Sequence, residues 1–224
     1  MAREFVVGGD ERASADNSVR VLICDDHALY RRGLIMVLED ATDIEVVAEA
    51  ENGKQAVAMA RRHAPDVILM DVSMPGIDGV EAAGVVTDVL PGVPIVMLTV
   101  SESEEDLLAA MKNGAVGYLA KEASITEVAD AVRAVVGGGT LISPAMASLV
   151  LQSLPRADDG SGPHRLTPRE ESVLGLVAEG RPSDDVASEL GLSVNAVRNH
   201  LRNVLEKLRR RSRNGTSDEP SEPS

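Results

Sequence analysis

Five short apolar runs, at 19–24, 44–50, 67–70, 94–99 and 116–120, punctuate the first two thirds of the chain. Between them lie longer stretches in which apolar residues return at three- and four-residue spacing, as in 28–39, where they fall at 29, 34, 37 and 38. A short apolar run bounded by turn residues reads as a strand buried on both faces, and the longer spacing reads as a helix. The pattern predicts strands at those five runs and helices at 28–39, 53–63, 80–89, 102–113 and 124–136. Ser101 with Glu104, and Ser124 with Glu127, have the spacing of a capping box. Gly114 and the run Gly137-Gly138-Gly139 are placed to stop the helices they follow.

Strict strand–helix alternation, five times over, requires right-handed crossovers and a parallel sheet with helices on both faces. The expected fold of 19–137 is α/β, a flavodoxin-like (βα)5 domain. Beyond it the period stays helical. A short helix is expected within 140–154, near Pro144. PRADDGSGPH at 155–164 has linker composition, so 138–164 reads as a linker with a short helix. Thr167, Pro168 and Glu170 form a strong helix start, and Gly180 a stop. A second helix at 183–190, a turn through Gly191, and a third helix from 194 to about 209 match a helix-turn-helix. This makes 165–213 a small all-α domain. Residues 1–18 and 214–224 lack apolar periodicity and are expected to be disordered.

Composition adds three constraints. Phe5, Tyr30 and Tyr118 are the only aromatic residues, so the core must be aliphatic. Cys24 is the sole cysteine, which excludes an intrachain disulfide. No stretch approaches the roughly 18 apolar residues of a membrane span, and a cytoplasmic protein is expected. The formal charge of −14 argues against nucleic acid only when taken globally. Residues 19–137 hold 9 basic against 20 acidic side chains, whereas 165–213 hold 10 against 7. An acidic front and a basic rear point to different partners.

Candidate chemistry gathers at the strand ends. Asp25 and Asp26 follow the first strand, Asp71 ends the third, Thr99 the fourth and Lys121 the fifth. Open α/β sheets bind ligands at this carboxyl edge. Any one of these residues could be a helix cap or a solvated charge. Together, three carboxylates in one crevice call for a cation, and oxygen donors favour Mg²⁺. A hydroxyl and an ammonium beside them suit a phosphoryl group on Asp71.

Asp25-Asp26, DVSMPGIDG at 71–79, Thr99 and YLAK at 118–121 resemble the receiver domain of two-component response regulators. LTPRE at 166–170, VASELGLS at 186–193 and VRNHLRNVLEKL at 197–208 resemble the LuxR-type helix-turn-helix. Together they are similar to the NarL/FixJ subfamily. The resemblance implies that Asp71 accepts phosphate from a histidine kinase, with Thr99 and Lys121 holding phosphoryl oxygens. It implies Mg²⁺ bound by Asp26 and Asp71, by Asp25 through water, and by the Ser73 carbonyl. Thr99 and Tyr118 match the switch pair. Arg198, Asn199, His200 and Arg202 match the DNA-reading surface, Arg suiting guanine and Asn adenine. Promoter DNA and a second copy of the chain are the further partners implied.

Departures from the pattern set other expectations. Ser183-Asp184 stands where the family often has Asn-Lys, and Ala196 where Thr is common. RRRSRNGTSDEPSEPS replaces the apolar fourth helix, so dimerisation through the DNA-binding domain is not expected. With few phosphate contacts left, DNA binding is expected to be weak and salt-sensitive. The alternative is a receiver that signals through protein contacts with a degenerate DNA-binding half, with or without phosphorylation. A haloacid-dehalogenase-type phosphatase would need an Asp at Ser73, so turnover of an external ester is not expected.

Overall fold

The computed structural model describes residues 18–100, 103–155 and 164–215. Of the segments expected to be disordered, 1–18 and 214–224, residues 1–17 and 216–224 lie outside the described residues, as does 156–163 of the expected linker; Asn214 and Gly215 depart from that expectation, since they form the end of a helix. The elements run β1 (Val19–Cys24), α1 (Ala28–Glu39), β2 (Ile44–Ala50), α2 (Gly53–His63), β3 (Val67–Asp71), α3 (Gly79–Val89), β4 (Ile95–Thr99), α4 (Glu104–Lys112), β5 (Gly117–Ala120) and α5 (Ile125–Val136). The strands form one parallel sheet in the order β2-β1-β3-β4-β5. Strand order reverses between β1 and β3, so their carboxyl ends border the crevice of an open sheet.

Side-chain alternation along the strands splits the core in two. Leu22, Ile68, Met70, Ile95 and Met97 face α2, α3 and α4, whose contact residues are largely alanines such as Ala56, Ala60, Ala82 and Ala110. Val21, Ile23, Leu69, Val96 and Leu98 face α1 and α5 through Leu34, Leu38, Val128 and Val132. Small residues let helices approach the sheet closely, which is how a nearly aromatic-free core stays dense. Every residue of β3 is buried, so Asp71 sits on a rigid support.

One helix start differs from expectation. α4 begins at Glu104, and its cap is Ser103, whose side chain accepts from the Asp106 N–H at 3.1 Å. Ser103 and Asp106 repeat the spacing of Ser101 and Glu104, and the acidic residues Glu104, Glu105 and Asp106 favour the later start by meeting the helix dipole.

Four further helices follow: α6 (Pro144–Ser153), α7 (Pro168–Ala178), α8 (Ser183–Leu190) and α9 (Val194–Gly215). They share a core of Met146, Val150, Val173, Leu174, Val197 and Leu201, joined by Leu107 and Met111 of α4. The short helix near Pro144 is thus packed against its neighbours. α9 runs two turns past Leu208, and no helix follows it among the described residues. Among the described residues, no helix is long and apolar enough to cross a membrane.

Lys207 of α9 ties to α7 through a buried carboxylate. Its Nζ lies 2.6 Å from Glu170 Oε2 and donates to the Arg165 carbonyl at 2.9 Å. Burial alone would raise the Glu170 pKa. Lys207 and the N–H and hydroxyl of Thr167 outweigh it and hold the carboxyl below its ordinary value. A depressed folded pKa stabilises above the unfolded value of 4.5 and is lost as pH falls through the folded one. Glu170→Gln should therefore cost about 1.5–3 kcal/mol at pH 7. In paired denaturation curves the deficit should shrink as pH drops below 4.5.

Candidate functional site

The strand ends bring Asp25, Asp71 and Lys121 into direct contact. Lys121 Nζ lies 2.7 Å from Asp25 Oδ2 and 2.9 Å from Asp71 Oδ2. Lys121 reaches there because its N–H donates to the Thr99 carbonyl at 2.7 Å, extending the β4–β5 ladder. Asp25 and Asp71 are buried, and so is Thr99. The Ser73 N–H points to Asp71 Oδ1 at 3.4 Å, so the loop after β3 turns back over the carboxylate. Asp26 is exposed at the rim, with His27 Nδ1 at 2.8 Å from its Oδ1. Tyr118 lies half-buried, and its hydroxyl donates to the Asp106 carbonyl of α4 at 2.9 Å.

The electrostatics suit a cation. Burial, and secondly the Asp25 charge, push the Asp71 carboxyl above its ordinary value, with Lys121 opposing both. Burial would lower the Lys121 ammonium, but the two carboxylates outweigh it and raise it. The Tyr30 ring centroid is 5.0 Å from Lys121 Nζ, and burial followed by the nearby acids pushes its hydroxyl up to about 12. Ligand atoms of Asp25, Asp26, His27 and Asp71 lie within 4.8 Å of one another. Three carboxylates against one ammonium leave two negative charges, and the oxygen-rich donor set fits a hard divalent ion such as Mg²⁺.

Comparison with known proteins agrees with this arrangement. Residues 21–133 match the response regulator receiver domain, and 164–216 match the luxR family of bacterial regulatory proteins. The chain is 38% identical over 191 residues to the transcriptional regulatory protein LiaR of Bacillus subtilis, covering 85% of this chain and 90% of that protein. It is 35% identical over 195 residues to the nitrate/nitrite response regulator NarL of Escherichia coli, covering 86% and 90%. The chain is a two-component response regulator of the NarL/FixJ family. A solved structure of the Salmonella typhimurium response regulator RcsB, described for its conformational dynamism in DNA interaction, shares 26% identity with the regulator. Its TM-score is 0.52, covering 85% of the regulator and 93% of RcsB.

Arg31 is a residue of this site that the pattern reading passes over. Its guanidinium is nearly enclosed, with Nη1 donating to the Asp25 carbonyl at 2.6 Å. Nε and Nη2 meet Glu49 and Glu51 at 3.0 Å each. It anchors the loop that presents Asp25 and Asp26. Arg31, Leu34, Ile35 and Leu38 fall at helical spacing on one buried face. A charge standing at a core position of that stripe is the signal in the sequence.

The DNA-reading candidates of the regulator sit elsewhere. Arg198, Asn199 and Arg202 are exposed on α9, His200 is half-buried, and Arg202 Nη2 is 2.6 Å from Asn199 Oδ1. Arg202, Leu205, Glu206 and Arg209 line a cavity of about 540 Å³ with Val93, Pro94 and Val116. Those last residues lie at the amino edge of the sheet, the end opposite Asp71. α9 thus presents one flank to the receiver, away from the acidic pocket.

Proposed function

We propose that Asp71 of the regulator takes a phosphoryl group from the phosphohistidine of a sensor kinase, and that this frees α9 to bind promoter DNA. A carboxylate oxygen attacks phosphorus, the P–N bond breaks, and the electron pair leaves with the kinase imidazole. Mg²⁺, held by Asp25, Asp26, Asp71 and the Ser73 carbonyl, would neutralise charge on the transferred group. Lys121 pairs with one phosphoryl oxygen, and the Thr99 hydroxyl moves to another. Tyr118 then turns inward and gives up the Asp106 carbonyl, loosening α4, which packs on α6 and α9. The observation that carries this reading is the Lys121 ammonium bridging buried Asp25 and Asp71. Ser73 offers no acid or base for turnover, so the regulator acts as an acceptor, not an enzyme on external esters.

In the closed form the receiver covers one flank of α9. Phosphorylation biases the receiver towards a form that pairs with a second copy, placing two recognition helices on adjacent half-sites. Arg198, Asn199, His200 and Arg202 read the DNA, and the protein works in the cytoplasm, where the promoter lies. The sequence after Leu208, RRRSRNGTSDEPSEPS, has no apolar residue with which to pack a further helix, which supports a second reading, a signal passed by protein contact alone.

Acetyl phosphate with Mg²⁺ separates the two. The first reading expects one added phosphoryl group by intact mass, none after chelation, and about 5–150-fold tighter DNA binding with a shift towards dimer. Uptake without any change in DNA affinity supports the second reading. No uptake in Mg²⁺ overturns the first reading and supports the second in its phosphorylation-independent form.

A further inference from the structure

The two turns that α9 adds beyond Leu208 contain Arg209, Arg210, Arg211 and Arg213. At 3.6 residues per turn, Arg198, Arg202, Arg209 and Arg213 fall within about 60° of arc, a stripe running roughly 22 Å along the helix. The apolar residues Val197, Leu201, Val204 and Leu208 occupy a different face, in the helical core. Arg210 is off the stripe and pairs with Glu206 one turn back. The stripe is therefore not needed to hold the helices together.

In this structure its far end rests on the receiver. Arg213 pairs with Asp88 of α3, and Arg209 and Arg213 line a crevice with Glu81, Asp88 and Lys112. Nearer the middle, Arg202 approaches Gly138 and shares the larger cavity with Asp66, whose Oδ2 accepts the Arg20 N–H. Arginine suits both surfaces it could meet, because its planar guanidinium pairs with carboxylates and with phosphates alike.

We infer that the arginine extension of α9 is a second DNA-binding surface, with Arg209 and Arg213 holding backbone phosphates, and that the receiver's α3 competes for it in the closed form. A straight helix follows the curved major groove for only a few turns. With Arg198 and Asn199 at base edges, the far end of the stripe comes out at the groove wall, where phosphates lie. This supplies cations that the Ser183-Asp184-Asp185 segment of α8 cannot. It rests on the DNA-binding reading above and names which further residues bind and what covers them.

The test is a salt series of full-length protein, untreated and acetyl-phosphate-treated, on a fluorescent duplex of random sequence. Each phosphate contact contributes about −0.9 to the slope of log K against log salt. The double variant Arg209→Gln/Arg213→Gln should flatten the treated protein's slope by about 1.8, and Arg209→Lys/Arg213→Lys should restore it. Asp88→Asn should tighten binding of the untreated protein by about 2–5-fold, the scale of an exposed ion pair, and leave the treated protein unchanged. Glu45→Gln, the same charge change on exposed β2, should not. An unchanged slope in the glutamine variant overturns the phosphate contacts, and equal effects of Asp88→Asn and Glu45→Gln overturn the competition. Wild-type protein that binds no duplex in either state overturns the DNA-binding reading itself.

Discussion

Asp71→Asn should abolish phosphoryl uptake from acetyl phosphate and hold DNA affinity at the untreated value whatever the donor concentration. Asparagine matches the size of aspartate but offers an amide, whose oxygen is a poor nucleophile and whose nitrogen cannot form the acyl phosphate. Shape is retained because β3 is buried along its whole length and fixes the position. The fold should not suffer. Burial and Asp25 already disfavour a charged Asp71, so a neutral side chain removes a repulsion, while Lys121 keeps Asp25 at 2.7 Å. The variant should melt no lower than wild type, and intact mass should show no adduct. One adduct on Asp71→Asn would move the acceptor elsewhere and sink the mechanism. Asp25 is the nearest alternative, but it is fully buried and its Oδ1 accepts the His27 N–H at 2.8 Å.

The receiver half was legible because its pattern is nearly redundant. Each apolar run between turn residues had one sensible reading as a buried strand, and strand ends then placed Asp25, Asp71, Thr99 and Lys121 at one edge. Arg31 is hidden because an arginine in a helix is normally solvated, and its partners Glu49 and Glu51 lie at and just beyond the end of β2. The start of α4 lies at the second of two overlapping caps, and cap spacing alone does not separate them; the signal that does is the acidic first turn Glu104, Glu105 and Asp106. The packing of α4 on α6 and α9 was invisible for a different reason. Periodicity shows that Leu107 and Met111 form an apolar flank, but not which element covers it. The expected end of α9 near 209 falls short of Gly215 because its last two turns carry no apolar residue. A run of arginines extends a helix on propensity alone, without a buried face to announce it.

Gly79→Ala should be the most damaging single-methyl change in the receiver. Gly79 opens α3, and its N–H donates to the Val72 carbonyl at 3.0 Å, closing the loop that follows Asp71. A Cβ there would stand 1.8 Å from the Asp71 carbonyl oxygen and 3.2 Å from Val72 Cα. Both neighbours are backbone, so no side chain can swing aside, and either α3 or the end of β3 must shift. Overpacking usually costs about 1–3 kcal/mol, and a backbone clash this deep belongs at or above the upper end. Displacing the end of β3 also moves Asp71 relative to Lys121, so phosphoryl uptake by the folded protein should slow by up to about 100-fold, the scale of a positioning error near 1 Å. Gly33→Ala, in α1 with nothing within 4 Å of its Cβ, is the matched control. It should be neutral or stabilise by up to about 1 kcal/mol, since alanine is the better helix former. Melting curves and uptake rates on the two variants decide it. If Gly79→Ala melts and reacts like Gly33→Ala, the loop after Asp71 is soft, and the acceptor is not held by the packing described here.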